Sequence, residues 1–196
     1  MNHTIPHVSI EENVSAELFR EKIFPGGLPV LLRNAVSHWP AVQAAARSPE
    51  TAAEYIKRFD RGRPVEIIFG RADIGGKFFY NDELSGLNFT KMPERIAATV
   101  DRILEARGHT DSPSFYIQSA PIPDYLPGFE GENKLDLVDA SIPPRIWIGN
   151  RLTVQTHFDV SENIACCVAG RRRFTLFPPD HTPNLYPGPF ELTLAG

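Results

Sequence analysis

The sequence predicts a mainly β fold preceded by an α/β N-terminal flank. Helical and extended patterns alternate in the first half of the chain, and short β-favouring runs separated by turns follow from about Ser112. Of the 196 residues, 42% are hydrophobic, which is enough for a packed core of ordinary size. We therefore expect the flank over residues 1–111 and the β region over residues 112–196.

The first two helices of the flank are predicted from their start signals. Ser15 is a favourable cap for a short helix that continues to Phe24, where the run 25–27 (Pro-Gly-Gly) ends it. Ser48 followed by Pro49 marks the start of the second helix.

A third helix is predicted from Pro93, in its first turn, to Arg107. Apolar residues recur there at helical spacing, and Gly108 follows the end. Two apolar runs alternate with these helices and predict strands, a buried one at residues 28–32 and another at residues 65–69.

Four short runs in the β region favour extended structure because β-branched and aromatic residues dominate them. They span residues 115–118, 145–148, 163–169 and 173–177. Gly170 lies between the last two runs and is typical of a hairpin turn, and Pro178-Pro179 ends the final run. The proline-containing stretch that continues to Pro189 is predicted to be a loop.

Composition and charge exclude several classes of protein. The chain contains no apolar run near the roughly 18–20 residues of a membrane-spanning helix. Its net charge of -4 disfavours nucleic acid and anionic lipid as partners. The first nine residues lack the basic and apolar regions of a secretory leader. Neighbouring Cys166 and Cys167 point to opposite faces of a strand, which predicts unbridged thiols in a reducing cytoplasm.

The triplet His157-Phe158-Asp159 is the most informative for chemistry. Residues two apart on a strand face the same side, so the imidazole and the carboxylate can converge on one ion. Two histidines and one carboxylate hold non-haem Fe(II) on one face and leave positions open for a co-substrate and oxygen. Taken alone, such a triplet more often consists of ordinary surface residues, so its context decides the interpretation.

That context resembles the cupin-like branch of the JmjC hydroxylases, relatives of the asparaginyl hydroxylase that inhibits hypoxia-inducible factor. The similarity covers nearly the whole chain in the order of the family's motifs. The matching segments are Leu28–Arg33, Trp39–Ala41, Phe115–Gln118, Trp147–Asn150, His157–Asp159 with Asn163, Gly170–Pro179 and Asn184–Pro189.

The resemblance implies a double-stranded β-helix, or jelly roll, that binds Fe(II) and 2-oxoglutarate and hydroxylates a substrate. By position, the first two iron ligands would be His157 and Asp159. The co-substrate 2-oxoglutarate would contact Tyr116 and Arg172 through its distal carboxylate and lie near Asn163. Two further residues, Gln118 and Trp147, would line the substrate pocket.

Strand alternation gives Arg172 two interpretations. Arg172 shares a face with Phe174 and Leu176, and an inward guanidinium among apolar neighbours needs an anionic partner. A bidentate grip on a carboxylate suits 2-oxoglutarate. The alternative is that the arginine run forms a solvated hairpin edge that discourages strand pairing.

The chain departs from the family pattern at its C-terminal end. The family's second histidine ligand lies on a later strand, and the resemblance implies that the C-terminal half of the barrel is missing here. His181, the one histidine after Asp159, falls in the proline-rich loop and is expected to be an exposed loop residue. A fragment of a longer hydroxylase, a short form completed by a partner and a degenerate relative all fit this departure.

Two functions follow. The first is an Fe(II)- and 2-oxoglutarate-dependent dioxygenase acting on a protein or a small molecule. The second is a non-catalytic or incomplete cupin-like binding module that lacks the third metal ligand. A cupin of other chemistry fits less well, because such families gather more histidines near the first ligand strand. We expect no membrane partner, and a homodimer stays open.

Overall fold

The computed structural model describes residues 8–83 and 85–186. A four-stranded, antiparallel sheet forms its centre, in the order β4-β3-β5-β6, and a separate parallel pair joins β1 to β2. The strands are β1 (Ser9–Glu12), β2 (Val30–Arg33), β3 (Val65–Gly70), β4 (Phe89–Glu94), β5 (Ser114–Pro121) and β6 (Arg145–Gly149). The predicted strands at residues 65–69, 115–118 and 145–148 are confirmed.

Most of the helices pack on one face of this sheet, in one core cluster with β3 and β5. The helices are α1 (Ala16–Leu18), which continues as a π-helix (Phe19–Ile23), α2 (Pro40–Arg47), α3 (Pro49–Lys57), α4 (Ile96–Glu105), α5 (Ile122–Tyr125) and α6 (Phe129–Glu132). Both predicted serine caps are confirmed, because the Ser15 hydroxyl accepts from the Leu18 N–H and the Ser48 hydroxyl from the Thr51 N–H. Within the described residues, none of these helices is long and apolar enough to cross a membrane.

The prediction that the third helix starts at Pro93 is wrong. Pro93 lies in β4 opposite Glu66, and α4 begins only at Ile96. β4 is at the edge of the sheet, where a residue without an N–H is tolerated. The helix start is instead fixed from a distance, because the carboxylate of Asp60 accepts the Ala97 N–H at 2.8 Å.

The strand predicted at residues 28–32 is neither fully formed nor buried. It starts at Val30 and pairs with β1, while Leu28 and Leu31 are 76% and 52% exposed. A continuous apolar strand is buried only where other elements cover both faces of its sheet. This two-stranded sheet is not covered in that way, so part of the apolar run is exposed.

The strands predicted at residues 163–169 and 173–177 are also wrong for the part of the chain that the structure describes. Both segments lack ladder partners, and a strand forms only where a neighbour shares its hydrogen bonds. Side-chain alternation survives only in the first segment, where Ile164, Cys166 and Val168 are half-buried and the residues between them are exposed, whereas residues 173–177 are all exposed.

The end of the described chain is more ordered than the predicted loop. Gly170 takes a positive φ of 73°, as a tight bend requires. A 3-10 helix then covers Pro179–Leu185. The last three residues of the motif at 184–189 lie outside the described residues.

The sheet separates two apolar clusters. The larger packs β3 and β5 against α2, α3 and α4 and includes Ile67, Ile96 and Ile117. The smaller lies on the opposite face, called the second face here, and comprises Ile68, Phe78, Phe89 and Tyr116. The same sheet contains β3 and β4 from the predicted flank and β5 and β6 from the predicted β region. This antiparallel sheet with helices on one side agrees with the jelly-roll-like fold that the sequence predicts.

Candidate functional site

Tyr116 is at the centre of the second face. Its ring is buried and stacks on Phe78, with ring centroids 6.2 Å apart and planes 15° apart. Opposite it on β6 is Gly149, where a Cβ atom would lie 2.7 Å from Leu152 Cδ2 and 3.1 Å from Tyr116 Cδ2. A larger residue at this position would therefore push against Leu152 and the Tyr116 ring.

Arg172 shares the environment of that phenol. Burial raises the pKa of Tyr116, and the positive charge of Arg172 opposes the rise. The Arg172 guanidinium also lies 5.1 Å from the centre of the Phe174 ring, so these two side chains are close together although the segment is not a strand. Arg172 is exposed rather than inward, so its charge remains available to an anion from solvent.

His157 is oriented by the main chain. Its Nδ1 lies 2.8 Å from the carbonyl oxygen of Gln155. A carbonyl only accepts, so Nδ1 is the donor, and in the neutral imidazole Nε2 then keeps its lone pair. Metal-ligating histidines commonly have this arrangement, with the second ring nitrogen donating to a carbonyl or a carboxylate.

Asp159 is exposed on the same irregular segment as His157. The segment is not a strand, so the predicted convergence of the two side chains by strand alternation does not apply to it. Across residues 8–83 and 85–186, no group of three His, Cys, Asp or Glu side chains is arranged to hold a metal ion.

A β-bulge places the two predicted substrate residues on the second face. Ile117 pairs with Ile148 and Ala120 with Ile146, so Gln118 and Ser119 together oppose Trp147. Ile117 and Ala120 both pack in the helix-side core although three residues separate them, which leaves the two intervening side chains for the second face. Gln118 is half-buried there, and Trp147 is 44% exposed.

The residues that close this bulge were missed by the sequence analysis. Ser119 has a positive φ of 51°, and its hydroxyl accepts from Arg145 Nε at 2.6 Å. A serine in the left-handed region gives no local sequence signal, because glycine or asparagine is the usual occupant. The one feature of the sequence that pointed to this contact was Arg145, a charged residue at the start of a predicted strand.

Two further predictions concern exposed residues. Asn163 is exposed in the irregular segment before Ile164. His181 is exposed in the final 3-10 helix, as predicted. Cys166 and Cys167 are unbridged, as predicted.

Comparison with known proteins finds similar sequences over nearly the whole chain. The family model of the cupin-like domain matches residues 15–195. The chain is 28% identical over 179 residues to Jumonji C domain-containing protein 5 of Drosophila melanogaster, covering 88% of this chain and 42% of that protein. It is 26% identical over 191 residues to lysine-specific demethylase JMJ30 of Arabidopsis thaliana, covering 94% of this chain and 40% of the relative.

A human relative is the bifunctional peptidase and (3S)-lysyl hydroxylase JMJD7. It is 25% identical over 198 residues, covering 91% of this chain and 57% of JMJD7. The chain therefore spans well under two thirds of the length of each of these relatives.

Proposed function

Because the chain belongs to the cupin-like domain family and resembles JmjC proteins, we propose that it carries the co-substrate half of an Fe(II)- and 2-oxoglutarate-dependent hydroxylase site. The observation that carries this proposal is geometric: Gln155 orients His157 and bonds the carbonyl of Phe78, whose ring stacks on the buried Tyr116. The positive charge of Arg172, which opposes the raised pKa of Tyr116, supports it. A guanidinium and a phenol hydroxyl on one apolar face suit the distal carboxylate of 2-oxoglutarate.

The residues present fit the metal. His157 offers a free Nε2 because its Nδ1–H is held by the Gln155 carbonyl, and Asp159 offers a carboxylate on the same segment. Imidazole and carboxylate are the donors of a facial triad, which in this proposal is completed by a histidine from outside the described residues. When bound, the metal and 2-oxoglutarate supply the oxidising chemistry, with succinate as co-product.

The chain's own residues then position and shield the reactants. The Tyr116 hydroxyl would donate to the distal carboxylate and Arg172 would neutralise it, while Asn163 would lie near the co-substrate and the metal. Phe78 and Phe89, with ring centroids 5.4 Å apart, exclude water from one side. Gln118 and Trp147 would contact the substrate from the bulge.

We assign the substrate to proteins rather than to free small molecules. Two relatives carry names that describe action on lysine residues, a lysine-specific demethylase and a lysyl hydroxylase. The free thiols at Cys166 and Cys167 are compatible with a reducing cytoplasm, where we place the protein.

Succinate release tests the proposal. The full-length protein, supplied with Fe(II), 2-oxoglutarate and oxygen, is expected to release succinate. His157→Ala should abolish the release, whereas His109→Ala, a change at an exposed histidine outside the site, should leave it intact. A protein that neither releases succinate nor binds Fe(II) would contradict the proposed hydroxylase activity.

A binding module without catalysis is the second candidate. It is favoured by the finding that the described residues gather no three-ligand metal group. Calorimetric titration of this 196-residue chain with Mn(II) separates the two candidates. Tight binding that His157→Ala abolishes would count against the module.

A further inference from the structure

Residues 152–157, called the ligand segment here, are attached to the second face at successive points. Leu152 packs against the cluster of Phe78 and Tyr116. The Thr153 N–H then donates to the Gly76 carbonyl at 2.9 Å, next to a parallel bridge between Thr153 and Lys77. The segment thus begins as a short extension of the sheet.

Beyond Thr153, the ligand segment is attached to the second face by a side chain and no longer by its main chain. Gln155 Nε2 donates to the main-chain carbonyl of Phe78 at 3.2 Å. The amide orientation follows from the partner, because a carbonyl accepts and only the NH2 group can donate to it. Gln155 is half-buried, so water competes less for this bond than it would at the surface.

The same residue orients the imidazole. The Gln155 carbonyl accepts the Nδ1–H of His157 at 2.8 Å. Gln155 therefore links His157 through its main chain to Phe78 through its side chain, and Phe78 stacks on Tyr116. In the proposed function, Gln155 therefore connects the metal ligand His157 with Tyr116, which binds the co-substrate.

We propose that Gln155 is a positioning residue, whose side-chain amide holds its own carbonyl in place and so fixes the tautomer and direction of His157. The proposal rests on the proposed function, in which His157 binds the metal. Partners of this kind behind a metal ligand typically change metal affinity by about 10- to 100-fold when they are removed.

Two substitutions test the side chain in the full-length protein. Gln155→Leu keeps most of the volume but removes the amide, and Gln155→Glu keeps the shape but cannot donate when ionised. Both are expected to weaken Mn(II) binding, measured by calorimetry, by about 10- to 100-fold. Gln155→Lys, which restores a donor at this position, is expected to recover part of the affinity.

Gln43→Leu is the matched control. Gln43 also donates from Nε2 to a main-chain carbonyl, that of His38 at 3.3 Å, but it lies on α2. This variant should bind Mn(II) like the unmodified protein. A loss of thermal stability in Gln155→Leu and Gln155→Glu without a change in Mn(II) affinity would overturn the positioning role.

A second readout needs no metal. Nitrogen-15 NMR of the metal-free protein should show His157 protonated on Nδ1, whereas Gln155→Leu should shift the population toward the Nε2–H form that a free imidazole favours in water. If the unmodified protein fails to bind Mn(II), the proposed function is contradicted, and the tautomer of His157 then tests by itself whether Gln155 orients the imidazole. An unchanged tautomer in Gln155→Leu would overturn the inference even if the metal binds.

Discussion

The charge of Arg172 lowers the pKa of Tyr116, which burial otherwise raises, so these two side chains share one electrostatic environment on the second face. Tyr116 is on β5 of the central sheet, and Arg172 follows the bend at Gly170. Their proximity brings two segments that are distant in sequence to the same place. In the proposed function, the distal carboxylate of 2-oxoglutarate would contact both side chains.

Removing either group should weaken 2-oxoglutarate binding. Tyr116→Phe and Arg172→Ala are each expected to lower the affinity by about 10- to 100-fold, the range for losing a hydrogen bond to a charged group. Titration calorimetry in the presence of Mn(II) measures the affinity for 2-oxoglutarate. Arg173→Ala, which changes an exposed neighbour of Arg172, is the control. Equal losses in Arg172→Ala and Arg173→Ala would indicate a general charge effect.

Alkaline pH should destabilise the fold through two tyrosines. Burial raises the pKa of Tyr55, as does its hydrogen bond to Glu132, and burial likewise raises the pKa of Tyr116. Raised folded-state values favour the neutral phenol, so this stability is present below about pH 10 and is lost as the pH rises through the folded-state values.

Urea unfolding between pH 8 and pH 11 measures this effect. Tyr55→Phe is expected to flatten the alkaline fall in the free energy of unfolding. Tyr186→Phe, at a side chain that is 88% exposed, is the control. A slope that Tyr55→Phe leaves unaltered would refute the assignment.

Asn133 is expected to be the most sensitive polar residue of the core. Its buried amide accepts the Ala41 N–H at 3.0 Å and donates to the Tyr55 hydroxyl and to the Phe129 carbonyl, both at 2.9 Å. Asn133→Ala should lower the free energy of unfolding by about 2–4 kcal/mol, because it leaves buried partners unpaired. Urea denaturation tests this, with the exposed Asn184→Ala as control. A loss below about 0.5 kcal/mol, the range for surface changes, would contradict the prediction.

Gly149→Ala should disturb the site through a steric clash. The new methyl group would meet Leu152 Cδ2 at 2.7 Å and the Phe115 carbonyl oxygen at 3.0 Å. Overpacking of this kind destabilises by about 1–3 kcal/mol. Thermal unfolding measures the loss, and 2-oxoglutarate affinity should fall with it because Tyr116 must move.

Gly131→Ala is the comparison for this change, since a Cβ atom there would meet nothing within 4 Å. Gly131 lies inside α6, where alanine is the better helix former, so this variant should keep or raise the melting temperature. Equal melting temperatures for the two variants would argue against a close approach at Gly149.

The sequence by itself determined the elements whose signals are local. A serine hydroxyl caps its own helix three residues later, which is why the starts after Ser15 and Ser48 were predictable. The central strands β3, β5 and β6 were predictable from runs of β-branched and aromatic residues. The order of motifs also predicted the cupin-like family, which the family model confirms.

Only the tertiary structure decided where distant parts of the chain meet. Asp60 fixes the start of α4, and the edge position of β4 accepts Pro93, so the helix predicted from Pro93 begins later. The bulge at Ser119 is closed by Arg145, and the Gln155 amide finds the Phe78 carbonyl across the fold. Such contacts depend on the closure of long loops, and local propensity contains no information about them.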